Sequence, residues 1–359
     1  MKALVKLEKG VGHVELKTDW PKPAVKQGWV LVEVFGCGIC GTDLHILEDT
    51  HKNWPPVVLG HEYTGRIVEV ASDVTNWKVG DRVVCEQHTL ACLACDACRR
   101  GAIHLCQAKR SPGWGIDGAF ADFVTLPANL LHKVPDGVPF LAAAVCEPTA
   151  ICITGLDRVA LQVGEKVLVI GPGPIGLITA LLAKASGASS VTVIGRSSSK
   201  ERLELAKKLG INTYELKNGV NPIDELGDSF DVAIDSTGTG DSLSLAINMT
   251  RRLGRVLELG LATGAEVQFA LNAAMTRSLA VHFSMSSEYS SWDRALAFMA
   301  SGKYDPTKLT SVYSLDNWES AFHDVESRKV VKAIITPKDA PALDQVKCCL
   351  LYTSDAADE

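Results

Sequence analysis

Nowhere does the chain of 359 residues hold an apolar run approaching the roughly 20 residues that a helix needs to cross a bilayer. Its opening, MKALVKLEKG, has no apolar segment of the kind found in a secretory signal. A cytoplasmic protein is therefore expected. Basic clusters are missing as well, and the net charge is −6. This disfavours nucleic acid or an anionic membrane surface as the main partner and leaves small molecules. A third absence is local: no carboxylate lies between Gly176 and Glu201. Its meaning depends on the motif it follows, taken up below.

What the chain does have is cysteine, 11 in all. In a reducing compartment clustered thiols point to metal rather than to disulfides. At 47% hydrophobic and 22% charged residues the composition is that of an ordinary globular protein, long enough for about two domains and a large core. Residues 347–359, KCCLLYTSDAADE, show no periodicity and follow what reads as a final strand. They are expected to be a non-native tail, so Cys348 and Cys349 are set aside.

The richest stretch is FGCGICGTDLH, Phe35 to His45, which places Cys40, Thr42, Asp43 and His45 within six residues. It follows the alternating run Trp29 to Phe35, a strand pattern, and its glycines suggest a tight turn on which these groups sit. Further on comes GHE, with His61 and Glu62. Thiolate, imidazole and carboxylate are the ligands that a catalytic zinc takes while keeping one position open.

From Met1 to about Pro148 the signals are short alternating strands (ALVKL, WVLVEVF, GRIVEV, DRVVCE, AFADFVTL) with Gly and Pro between them, which predicts a partly closed β barrel. Within it Cys92, Cys95, Cys98 and Cys106 make a C-x2-C-x2-C-x7-C loop. Four thiolates at this spacing suit a closed tetrahedral zinc; an iron–sulfur cluster and a nucleic-acid-binding zinc ribbon are weaker readings.

After Glu147 strand and helix alternate. KVLVI runs into GPGPIG (Gly171, Gly173, Pro174, Ile175, Gly176), then the helical LITALLAKASG and the strand SVTVIG. This is the setting a dinucleotide fingerprint requires, with pyrophosphate resting on the helix N-terminus. Ser198 to Glu201 reads as a capping box before the helix ERLELAKKLG. FDVAIDSTG, SLSLAINMT, GRVLELG and AVHFSM continue the alternation, so the fold class is α/β with a Rossmann-type doubly wound parallel sheet. WDRALAFMASGK reads as a later helix and VVKAIITP as a last strand.

Five motifs in order, CGICGTD, GHE, the four-cysteine lobe, the pair Glu147-Pro148 and GPGPIG, resemble the zinc-dependent medium-chain dehydrogenases. The resemblance implies a GroES-like catalytic domain over 1–150 with a structural-zinc lobe at 85–108. It further implies an NAD(P)-binding domain over 151–288 and a return to the catalytic domain over 289–340. Two zinc ions per chain are implied, one catalytic and one held by Cys92, Cys95, Cys98 and Cys106. Cys40 and His61 are the first expected catalytic ligands, and the third is either Glu62 or Glu147. Asp43 would orient His61 or cap the turn, and Thr42 with His45 would relay the proton released from the substrate hydroxyl. Glu147 resembles the sorbitol branch, so the expected reaction interconverts a polyol and a ketone. An amino-alcohol dehydrogenase similar to threonine 3-dehydrogenase and a non-enzymatic nucleotide-binding member of the fold are the alternatives. A homodimer or homotetramer is the implied assembly.

The missing carboxylate now acquires its meaning. An acidic residue about 20 positions past the glycines would bind the adenosine ribose of NAD. That place is Gly195, followed by Arg196, Ser197, Ser198, Ser199 and Lys200. Arg196, Ser197 and Lys200 would instead meet a 2′-phosphate, which predicts NADP over NAD.

Overall fold

KVLVI is apolar from its second residue on because it lies in the middle of a sheet covered on both faces. In the computed structural model, which describes residues 1–262, 264 and 266–337, it is the strand Lys166–Ile170, with Val167, Leu168 and Val169 fully buried. The tail 347–359, with Cys348 and Cys349, lies outside the described residues. Around the central strand six strands run in the order Asn212–Glu215, Ser190–Gly195, Lys166–Ile170, Phe230–Asp235, Thr250–Glu258, Ala280–Phe283. Every pairing among them is parallel. The order reverses between Lys166–Ile170 and Phe230–Asp235, which creates the crevice where ligands of such sheets bind.

The second sheet has seven strands, antiparallel except at one edge, along Thr310–Ser314, Lys332–Thr336, Trp29–Gly38, Glu62–Val70, Arg82–Cys85 and Leu131–Lys133, with Phe123–Pro127 also paired to Trp29–Gly38. The strand Lys332–Thr336 comes after the nucleotide sheet in sequence yet sits beside Gly38 and Cys37. Ala3–Lys6, Val14–Lys17 and Val57–Val58 form a small third sheet. Helix Cys146–Arg158 spans the junction of the two main sheets. Its buried face joins Leu177, Ile178 and Leu257 in one core, and its first turn carries Glu147. No helix among the described residues is long and apolar enough to cross a membrane.

Local expectations fail in two places and two strands have no clear sequence signal, each for a readable reason. The Phe35–His45 stretch is not a free turn: the strand runs on to Gly38, and helix Gly41–Leu47 begins at once with Cys40 as its N-cap. Ser198 does not cap a helix, because Ser197–Ser199 winds into a 3-10 turn closed by Ser199 N donating to Arg196 O at 2.8 Å. The α-helix therefore starts at Lys200 with no side-chain cap. Strands Asn212–Glu215 and Thr310–Ser314 carry mixed polar sequences without strong periodicity, and their sheet neighbours rather than their own residues make them strands.

One carboxylate pair inside the nucleotide sheet makes stability depend on pH. Asp235 and Glu258 are opposite one another on neighbouring strands. Asp235 accepts from Thr237 N at 2.9 Å and from Ser242 Oγ at 2.6 Å. Burial first, then the charge of Asp235, pushes Glu258 up to about 8, against a hydrogen bond from Gly260 N. The folded chain thus keeps a proton that the unfolded chain releases near the ordinary 4.5. Its stabilising effect is complete below that value and is lost as pH rises towards 8. Glu258→Gln should flatten the fall in melting temperature between about pH 5 and 8 and raise it at the alkaline end. Thermal melts of both proteins across this range check the sign.

Candidate active site

Cys40, His61 and Glu62 offer ligand atoms that all lie within 4.8 Å of one another. Two elements bring them together: helix Gly41–Leu47, whose N-cap is Cys40, and strand Glu62–Val70, which Glu62 opens and His61 precedes. His61 and Glu62 are buried and Cys40 is half-buried. Asp43 does two jobs. Its Oδ2 accepts from Cys40 N at 2.9 Å and caps the helix, while its Oδ1 faces His61 Nδ1 at 3.6 Å. With Nδ1 turned to Asp43, Nε2 is the nitrogen available to a ligand. Burial works against a charged imidazole here, but the Asp43 carboxylate and the Cys40 thiol outweigh it and hold His61 well above the usual histidine range. A metal binding to the ring would displace that proton.

Glu147 stands outside this group of three. It is buried, and its Oε1 accepts a hydrogen bond from Gln87 Nε2. Burial, then the nearby Glu62, pushes it up to about 8. Sequence reasoning also missed Lys332, a fully enclosed lysine whose Nζ pairs with Glu62 Oε2 and donates to Ile39 O at 2.9 Å. Burial alone would lower it, and Glu62 and Cys40 reverse this, so it remains an ammonium. Its only signal in the sequence is one charge inside the apolar run VVKAIITP. Gly38 makes room for the pair: a Cβ there would come within 2.4 Å of Glu62 Oε2 and 2.8 Å of Lys332 Cε. Trp114 forms a wall beside the ligands, its ring edge-on to His61 at 4.9 Å and to His51 at 5.3 Å. Thr42 Oγ1 is 3.8 Å from Cys40 Sγ. His45 is exposed on the same helix, with Nδ1 3.3 Å from Thr50 Oγ1.

The four lobe thiols also converge within 4.8 Å. A tetrahedron with metal–sulfur bonds of about 2.3 Å has sulfur–sulfur edges of roughly 3.8 Å. Cys92 lies 3.6 Å from Cys106 and 4.0 Å from Cys98, sulfur to sulfur, and all four are free thiols. Backbone N–H groups of Ala94 and Cys95 pull Cys92 down to about 6, the state a metal ligand needs. The residues present fit a closed thiolate site.

The third site lies at the crevice of the nucleotide sheet, where a cavity of about 410 Å³ opens. Gly171, Gly173, Gly195 and Arg196 line it, whereas Pro174, Ile175 and Gly176 lie in the first turn of helix Pro174–Ala185. Gly176 must be glycine, because a Cβ would sit 1.9 Å from Gly171 O. Ser197 and Lys200 are not on the lining. Ser198, Ser199, Arg202 and Arg328 are, and no motif pointed to the last two.

The comparisons with known proteins agree with this geometry. The family model described as Alcohol dehydrogenase GroES-like domain matches residues 26–136, and that described as Zinc-binding dehydrogenase matches 174–301. The chain is 34% identical to a sorbitol dehydrogenase of Halalkalibacterium halodurans, covering 94% of this chain and 100% of that one. It is 36% identical to an L-threonine 3-dehydrogenase of Streptomyces coelicolor, over 93% and 99%. A zinc-binding dehydrogenase of Sinorhizobium meliloti 1021, solved bound to NADP, superposes with TM-score 0.83 at 29% identity, covering 94% of this chain and 99% of that one. With relatives matched end to end at this identity, and one family model falling in each of the two main sheets, the protein belongs to the zinc-dependent medium-chain dehydrogenase/reductase family and is an NAD(P)-dependent zinc alcohol dehydrogenase.

Proposed function

We propose that the substrate is a polyol whose secondary hydroxyl is oxidised reversibly to a ketone, with NADP preferred over NAD. The observation that carries the reading is the convergence of Cys40, His61 and Glu62 on one point, walled by Trp114. On this reading these three hold the catalytic zinc, Glu147 stands by as a carboxylate reaching it through a water, and the lobe thiols hold a second, structural zinc. When bound, the zinc supplies a Lewis acid for the substrate hydroxyl and the nicotinamide accepts the hydride.

The chain's own residues do the rest. Asp43 fixes the orientation of His61. Thr42, beside the Cys40 thiol, would accept the substrate's hydroxyl proton while giving up its own, and the exposed His45 one helical turn on would carry that proton to solvent. Lys332 compensates Glu62 and holds its carboxylate in place. Residues 1–150 with 289–340 would act as the catalytic unit and 151–288 as the nucleotide unit. The pairing of Lys332–Thr336 with Trp29–Gly38 supports this division. The edge strand Ala280–Phe283, with Phe283 and Met285 exposed, suits an interface in a homodimer or homotetramer. Free thiols throughout the described residues suit the cytoplasm.

L-Threonine is the second reading, favoured by the identity to the Streptomyces coelicolor relative. A panel of polyols, simple alcohols and L-threonine, scored for nicotinamide reduction, decides between them. Polyols should give the highest kcat/KM; a preference for L-threonine would replace the first reading by the second.

The metal assignment has its own check, since Cys40→Ala should halve the zinc content and abolish turnover with little change in melting temperature. Cys98→Ala should chiefly lower stability, because a closed site contributes to folding. Glu62→Gln should weaken retention of the catalytic zinc while Glu147→Gln keeps it. Equal, full zinc in both would remove Glu62 from the ligand set.

For the cofactor, wild type should show the higher kcat/KM with NADP, and Arg196→Ala should lose mainly that preference, by roughly 10-fold or more. An enzyme at least as efficient with NAD, and indifferent to Arg196, would rule the preference out.

A further inference from the structure

The nucleotide cavity carries more positive charge than a dinucleotide with an unphosphorylated ribose needs. Three guanidinium-bearing residues from three separate elements line it. Arg196 follows strand Ser190–Gly195, Arg202 is on helix Lys200–Lys208, and Arg328 lies just beyond helix Trp318–Glu326. Among the described residues the arginine ion pairs lie elsewhere in the molecule. Asp241 is the single carboxylate-bearing residue on the described lining. A cavity of this composition is built for a polyanion.

Arg328 is the member that the nucleotide fold itself does not supply. It belongs to the segment leading into strand Lys332–Thr336, which pairs with Trp29–Gly38 in the other sheet. Arg202 anchors that segment from the nucleotide side, its Nη2 donating to Val330 O at 2.6 Å. After burial, the charge of Arg328 is what lowers the Arg202 guanidinium, so the two cations feel one another. The backbone adds an independent observation. Arg328 takes φ +63°, the left-handed position past a helix end where glycine is the usual residue. It is exposed, so packing does not account for a long side chain at a strained position. Its guanidinium has no hydrogen-bond partner among the described residues, while it borders the cavity.

We infer that Arg328 is a specificity-determining residue that closes on the 2′-phosphate of NADP opposite Arg196, so that this phosphate ties the returning segment to the nucleotide sheet. The inference rests on the NADP reading above. A dianionic phosphate between the guanidiniums accepts hydrogen bonds from both and relieves the repulsion between Arg328 and Arg202.

The test is equilibrium binding of 2′,5′-ADP and 5′-AMP, which differ only in the 2′-phosphate, to the full chain by calorimetry. Four proteins are compared: wild type, Arg196→Ala, Arg328→Gly and Arg328→Lys. Glycine removes the charge and also frees the left-handed backbone, so Arg328→Gly should melt no lower than wild type. Wild type should bind 2′,5′-ADP more tightly than 5′-AMP. Arg328→Gly should lose roughly 10- to 100-fold in affinity for 2′,5′-ADP and stay within about 2-fold for 5′-AMP, with Arg328→Lys falling between. If Arg196→Ala weakens 2′,5′-ADP but Arg328→Gly does not, the role of Arg328 is overturned and the NADP reading stands. Equal weakening of both ligands by Arg328→Gly also overturns it, since the residue would not be reading the 2′-phosphate. A wild type that binds the two ligands equally would bring down the NADP reading, and this inference with it.

Discussion

A lysine and a glutamate enclosed together hold two segments far apart in the sequence in one site. Taking an ammonium and a carboxylate out of water costs several kcal/mol each unless they compensate one another closely. Lys332 and Glu62 do so, and Ile39 O takes a further proton of the ammonium. The arrangement requires strand Lys332–Thr336 to lie against Gly38, where a side chain would displace the pair. Once these segments are locked, Cys40 and His61 have a fixed partner in Glu62, and the group of three is held together by the fold itself.

The two thiolate sites show how the same chemistry serves different ends. Around Cys92, Cys95, Cys98 and Cys106 the chain has little core to stand on: Leu90 and Leu93 are 51% and 72% exposed, and helix Asp96–Arg99 buries nothing. Four sulfurs at tetrahedral spacing there leave no open position, so the lobe's order would come from the metal itself. Cys40 and His61 instead sit on regular elements of a barrel whose core would exist without them. If these residues and Glu62 hold the zinc as proposed, a fourth direction stays open, and Trp114 stands beside it against His61.

At the nucleotide end the same division between scaffold and charge recurs. The parallel sheet and the contact between Gly171 and Gly176 build a crevice that any dinucleotide fits. On the NADP reading proposed above, the arginines around it would carry the discrimination between phosphorylated and free ribose. Arg328 lines the crevice from beyond the nucleotide sheet, and in the role inferred above it would link recognition of the cofactor to the junction between the sheets.

The sequence by itself determined the family, the class of each sheet and the residue types of the chemistry. Those are local properties: the VLVI of KVLVI is apolar because both faces of its strand are covered, GPGPIG must turn tightly, and four cysteines separated by two, two and seven residues can reach one point. Tertiary structure decided what depends on distant segments meeting. Glu62 and Glu147 were equivalent as sequence; the fold sets Glu62 beside Cys40 and His61 and gives Glu147 to Gln87. Asp43 could cap a turn or face a histidine, and the helix starting at Gly41 lets its two oxygens do both. Lys332 and Arg328 were invisible, because a single charge in a strand or after a helix has no period and no motif. Their roles arise only when a chain that has left the barrel for more than a hundred residues returns to it, a long-range pairing that local patterns do not encode.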